Sequence, residues 1–125
     1  MKKLLLGSGG FFGDEARRDL HNQYMARHFG NISRVLFVPW ALADHDAYVW
    51  FLRDNCKTAE FEFVGIHEFE NACRAVEQAE AIYVGGGNTF RLTAALHEYG
   101  IIDVVRERVF SGMPYMGVSA GTNVA

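Results

Sequence analysis

Nothing in this sequence approaches 18 consecutive apolar residues, the least that a membrane-spanning helix needs, so no such span and no membrane partner is expected. Cysteine is scarce. Cys56 and Cys73 are the only two, both in stretches that read as surface helices. Two such cysteines point to reduced thiols and a bacterial-type cytosol rather than a disulfide framework. Two prolines stand against ten phenylalanines, a balance that argues against a disordered chain. No basic block occurs, and 12 Lys and Arg against 15 Asp and Glu leave a net charge of −3. A nucleic-acid partner therefore has no electrostatic footprint here. The start, MKKLLLGSGG, carries the charges of a signal peptide, but its apolar run is too short and polar DEARRD follows closely. It reads as a buried strand after a charged start.

What is present suits one domain: 125 residues, half of them hydrophobic and 14% aromatic. A chain of this size buries roughly two-thirds of its unfolded surface. Short apolar runs alternate with amphipathic stretches. Strands are expected at Lys3–Gly7, Arg34–Trp40, Phe61–His67, Ala81–Gly87 and Pro114–Val118. The first helix is expected in DEARRDLHNQYMARHF, where Ala16, Leu20, Tyr24 and His28 recur every four residues. Asp44 can cap a second helix. Helices in NACRAVEQA, TFRLTAALHEYG and IIDVVRERVFSG follow, the last two stopped by Gly100 and Gly112. Strand and helix in alternation predict a three-layer, doubly wound α/β fold, its mostly parallel sheet covered by helices on both faces. Functional residues then gather at the carboxyl ends of the strands. Those ends are Gly7–Gly13, Trp40–His45, His67–Phe69, Gly85–Thr89 and Ser119.

Ser119 lies in GVSAG, straight after the fifth predicted strand. G-x-S-x-G between a strand and a helix describes a nucleophile elbow, with the serine lifted off the sheet edge on a tight turn. Gly117 and Gly121 are small where strand and helix must pack closely. The helix beginning at Ala120 turns free N–H groups and its positive end toward Ser119, which makes the Ala120 N–H a candidate oxyanion donor. A strand that merely ends in small residues would give the same five letters.

YVGGGNTFRL places three glycines between a strand and a helix start. Such a run costs backbone entropy, so it points to positive φ or to close approach of a ligand. Asn88 or Thr89 can cap the helix, and the N–H groups of Gly86, Gly87 and Asn88 would form a pocket for an oxyanion, carboxylate or phosphate. A flexible turn is the plainer alternative. No lysine follows to make a phosphate-binding Walker loop. The first loop, GSGGFFG, has Phe12 where a dinucleotide fingerprint needs its third glycine, and Pro39-Trp40 stands where a ribose-binding acid belongs.

GGGNTFRL and GVSAGTNVA together, with RVLFVPWA, VGIH and AEAIYVGGGNTF in order and spacing, resemble the peptidase E family of aspartyl dipeptidases over essentially the whole chain. Cyanophycinases are relatives sharing the elbow. The resemblance implies a fold akin to class I glutamine amidotransferases and an intracellular serine exopeptidase acting on dipeptides with N-terminal aspartate. Ser119 would be the nucleophile. Gly87 and Ala120 would supply the oxyanion hole, shaped by Gly86 and by Asn88, with Asn88 and Thr89 as substrate-binding positions. Such chemistry takes no cofactor and no metal. Members of the family continue well beyond the point matching Ala125, with the catalytic histidine and its acidic partner in that continuation. Residues 1–125 would then be the N-terminal part of a longer domain, cut short after the elbow.

A serine hydroxyl needs a positioned base. His21, His28 and His97 read as surface or core-edge residues. His45 and His67 lie on the active rim, and DHD at 44–46 adds acidic neighbours that hint at a metal site, although three consecutive residues rarely converge on one ion. The chain alone is expected to hold a nucleophile and half an oxyanion site but no base. An uncovered apolar face or strand edge would invite homo-oligomer formation, or disorder over 120–125. Alternatives are a cyanophycinase-like or esterase-like hydrolase, and an inactive homologue that binds an anion or a partner through Gly85–Asn88.

Overall fold

The computed structural model describes residues 3–7, 14–30, 32–56 and 61–123. The elements are β1 (Lys3–Gly7), α1 (Glu15–Phe29), β2 (Arg34–Val38), α2 (His45–Asn55), β3 (Glu62–Gly65), a 3-10 turn (Ile66–Glu68), α3 (Ala72–Glu77), β4 (Ile82–Val84), α4 (Thr89–Glu98), α5 (Ile102–Phe110), β5 (Pro114–Val118) and α6 (Ala120–Asn123). Four helices start on an Asp or Asn whose side chain accepts a backbone N–H. Asp14 takes Arg17 at 2.9 Å, Asp44 takes Ala47 at 3.0 Å, Asn71 takes Arg74 at 3.1 Å and Asn88 takes Arg91 at 3.0 Å. Each cap is worth about 1 kcal/mol.

The five strands are all parallel, in the order β1-β5-β4-β2-β3. Alternating side chains serve the two faces. Leu36, Val38, Ile82, Val84 and Tyr115 pack with residues of α3, α4 and α5. Phe37, Phe63, Tyr83, Met116 and Val118 pack with Met25 and Phe29 of α1 and with Tyr48, Val49 and Leu52 of α2. Helices thus cover both faces, as the alternating pattern predicts. Phe37 sits edge-on to Tyr48 at 4.9 Å and to Tyr83 at 5.5 Å. Each fully buried side chain of this kind contributes roughly 1.5–3 kcal/mol.

Sequence and structure differ at β1, at the buried face of α1 and at the ends of β2, β3 and β4, which spans Ile82–Val84 rather than Ala81–Gly87. β1 is not buried: Leu4 is 45% and Leu6 47% exposed. It is an edge strand that pairs, among the described residues, with β5 alone. In α1 the buried face is His21, Asn22, Met25 and Phe29, whereas Leu20 and Tyr24 are about half exposed. Polar partners explain this. His21 Nε2 lies 2.9 Å from the Tyr83 hydroxyl, and Asn22 Nδ2 donates to the carbonyls of Arg18 and Asn55 at 3.1 Å each. A satisfied polar group can be buried at little cost. His21 is therefore not a surface residue. Finally, β3 stops at Gly65, and His67 belongs to the 3-10 turn. The Gly65 N–H donates to Glu68 Oε2 at 2.9 Å, which draws the chain out of the ladder. β2 ends at Val38, one residue before Pro39 removes a ladder donor.

The connections open crevices along the carboxyl edge of the sheet. α1 and α2, which follow β1 and β2, lie on one face, whereas α4 and α6, which follow β4 and β5, pack on the other. Neighbouring strands whose chains leave to opposite faces open a cleft at their carboxyl ends. This occurs between β1 and β5, between β4 and β2, and between β2 and β3, whose chain goes on into α3 on the α4 side.

Candidate active site

Ser119 is the first residue past β5. Its φ is 53°, and among the described residues it is the only non-glycine with a positive value. Holding an L-residue there costs on the order of 1–3 kcal/mol and persists only where the surroundings impose it. The surroundings are visible. The Ser119 N–H donates to the Gly7 carbonyl at 2.9 Å, and the Thr122 N–H donates to the Ser119 carbonyl at 2.9 Å. The Thr122 hydroxyl lies 2.7 Å from the Gly7 oxygen and 2.9 Å from the Gly117 oxygen, tying the ends of β1 and β5 together. The buried Tyr115 hydroxyl donates to the Gly121 carbonyl at 2.7 Å. Val118 and Ala120 are buried, whereas Ser119 is exposed between them. The backbone thus turns outward at one residue, and that residue carries the hydroxyl.

The elbow needs its glycines. A Cβ on Gly121 would run into the Val84 carbonyl, and one on Gly117 would lie 2.5 Å from the Gly121 oxygen. The three glycines after β4 each face a different obstacle. A Cβ on Gly85 would lie 2.7 Å from the Tyr48 hydroxyl, one on Gly86 would lie 2.9 Å from Ser119 Cβ, and one on Gly87 would lie 2.7 Å from the Ala41 carbonyl. The run is bare because α2, the elbow and the loop after β2 all close on it. This makes it a packed junction, not merely a flexible turn.

Two amides of that junction are already used. The Gly85 N–H donates to Val38 at 3.1 Å and the Asn88 N–H to Ala41 at 2.9 Å. The Asn88 amide is thus unavailable to an oxyanion, contrary to the expectation for it. The N–H groups of Gly87 and Ala120 make no hydrogen bond to any described residue. Gly86 is buried and Gly87 exposed. Asn88 spends its Oδ1 on capping α4, and Thr89 is the half-buried first residue of that helix. Of the first loop, Ser8–Gly13 lies outside the described residues; so do 124–125 of the segment where disorder was expected.

None of the five histidines is hydrogen-bonded to Ser119. His21 meets Tyr83, and burial lowers its pKa to about 4. His28 donates to the Tyr115 carbonyl at 2.9 Å. His67 Nε2 lies 2.7 Å from Asp46 Oδ1, and its ring meets His45 edge-on at 5.5 Å. Burial, then the neighbouring His67, lowers the His45 pKa, against an opposing pull from Asp46. This group belongs to the β2–β3 end of the sheet. β3 stands three strands from β5, about 14 Å at the usual spacing. Among the described residues no three His, Cys, Asp or Glu side chains are grouped to hold a metal.

Sequence reasoning did not single out Tyr48, Tyr115 or Thr122. Thr122 stood within the quoted GVSAGTNVA. Tyr48 approaches from 38 residues away, with no local signal.

A parallel α/β sheet, an exposed serine in a left-handed turn at a strand end and a glycine junction packed against it make a strand-turn-helix elbow built on serine. The chain belongs to Peptidase family S51, whose family model matches residues 4–125. It is 42% identical over 127 residues to a Drosophila melanogaster protein named for alpha-aspartyl dipeptidase, an alignment covering 98% of this chain and 52% of that one. It is 44% identical over 93 residues to peptidase E of Streptomyces coelicolor, covering 74% and 38%. The fold matches a solved structure of a candidate peptidase E protein from Listeria monocytogenes EGD-e with TM-score 0.74 and 25% identity, over 97% of this chain and 60% of that one. The chain spans about half the length of the curated relatives it matches.

Proposed function

We propose that this chain carries the nucleophile side of a serine-type exopeptidase that cleaves dipeptides after an N-terminal aspartate. The left-handed, exposed Ser119 pressed against Gly86 is the observation that carries this reading. Ser119 Oγ attacks the carbonyl carbon of the scissile bond while its proton passes to a base. The carbonyl oxygen becomes an oxyanion, met by the N–H groups of Gly87 and Ala120 beside the small Gly86. Collapse breaks the C–N bond, the protonated amine departs, and an acyl group stays on Ser119 until water displaces it. Asn88 and Thr89, at the start of α4, border the substrate. Under this reading the base is none of the five histidines, since none is hydrogen-bonded to Ser119.

The working compartment under this reading is the cytoplasm. Both cysteines are half-buried and not joined to each other in a disulfide, as suits a reducing compartment.

The test is a substrate panel run with Ser119→Ala alongside, in the longest form of the protein that turns over. Release of aspartate from Asp-X dipeptides, abolished by the substitution, supports the reading. Preference for aspartate–arginine polymers or short acyl esters replaces it with a related hydrolase. Turnover that survives Ser119→Ala overturns it.

A further inference from the structure

We infer that Tyr48, on α2, is a positioning residue for the oxyanion site; this rests on the reading of Ser119 given above. Its hydroxyl donates to the Gly86 carbonyl at 3.0 Å in a buried environment. The Gly86 C=O and the Gly87 N–H belong to one planar trans peptide group, so they point in opposite directions and turn together. Fixing the carbonyl fixes the amide. With its oxygen held by α2, the same peptide directs the Gly87 N–H away from Tyr48.

Two neighbouring bonds make the clamp specific. The Gly85 N–H is held by Val38 and the Asn88 N–H by Ala41, so the Gly86–Gly87 peptide is the unit between two pinned amides. A glycine pair at that point has unusual backbone freedom, and the hydroxyl removes it. Tyr48 is itself well placed to hold still. It is 4% exposed, and its ring meets Phe37 edge-on at 4.9 Å. The missing Cβ of Gly85 leaves the room in which the hydroxyl sits. Burial also raises the Tyr48 pKa to about 12, so the group stays a donor across the working pH range. Preorganised donors owe their effect to orientation fixed before the reaction, and Tyr48 supplies that orientation from outside the site.

Tyr48→Phe keeps the ring and removes the hydroxyl that donates to the Gly86 carbonyl. Nitrogen-15 relaxation on the 125-residue chain reads the peptide directly. The Gly87 amide should lose order and shift in the variant, while the Gly85 amide, held by Val38, stays as it was. Unchanged Gly87 order overturns the inference. In the form that hydrolyses Asp-X dipeptides, kcat should fall about tenfold or more with KM within about twofold, and affinity for an aspartyl boronate should fall with kcat. A lower melting temperature that accounts for the loss of kcat, with Gly87 order intact, would show a purely structural role and also overturn it. Ser119→Ala in parallel separates the two claims. Full activity in Tyr48→Phe with none in Ser119→Ala defeats this inference alone, whereas activity in Ser119→Ala defeats the reading beneath it.

Discussion

Ser119 and Gly86 meet across the ends of β5 and β4, so closely that one added methyl group on Gly86 would stand 2.9 Å from Ser119 Cβ. The same methyl would lie 2.9 Å from the Val118 carbonyl, so neither side can yield without moving backbone. Gly86→Ala should therefore displace the elbow or the glycine junction. We expect a loss of about 1–3 kcal/mol in urea unfolding, and a fall in activity larger than the stability loss accounts for. A variant that keeps both would show that the two turns are not packed as described.

The left-handed backbone at Ser119 predicts an inverted order of stability. Glycine normally destabilises relative to alanine, but at φ near 53° it avoids the Cβ penalty of about 1–2 kcal/mol. Ser119→Gly should be more stable than Ser119→Ala, with both inactive. Chemical denaturation of the pair measures this. Alanine proving the more stable would mean that the residue is not held in that conformation.

The buried hydroxyl of Tyr115 holds the Gly121 carbonyl at 2.7 Å. Tyr115→Phe leaves that carbonyl unsatisfied in the core, which costs about 1–3 kcal/mol. The loss should appear as faster amide exchange in α6 and at Ser119, ahead of any change in α1. Uniform acceleration across the chain would contradict a local role.

His21 predicts a pH dependence. Burial holds its folded pKa at about 4, below the unfolded value of about 6.5, so folding favours the neutral ring. Its contribution is complete above pH ~6.5. It declines as pH falls from there toward about 4, and it has gone once the folded form also takes the proton. The span amounts to no more than about 3.5 kcal/mol. His28 and His45 are shifted in the same direction. His21→Gln should unfold with a visibly shallower dependence between pH 6.5 and 4.5; an unaltered slope would assign the effect to other groups.

The legible parts of this protein are those whose signal is local. β5 and the elbow are written in one unbroken stretch, PYMGVSAG, and the Asp44 cap stands directly before its helix. Strand ends at Val38 and Gly65 fall short of the apolar runs that suggest them, because Pro39 and the Glu68 side chain interrupt pairing. The face of α1 was not legible. Its burial follows from a His21–Tyr83 contact across 62 residues, and the four-residue series Ala16, Leu20, Tyr24, His28 points to a neighbouring face. The glycine run was legible as a demand for space. What demands the space could not be read, because Tyr48, Ala41 and Ser119 reach it from three separate segments.

The most direct measurement is a crystal structure of the protein after reaction with a serine-directed phosphonate. The account predicts phosphorus bonded to Ser119 Oγ, with one phosphonyl oxygen about 2.7–3.1 Å from both the Gly87 and Ala120 nitrogens. An adduct on another residue, or one at Ser119 with that oxygen turned away from both amides, would contradict it.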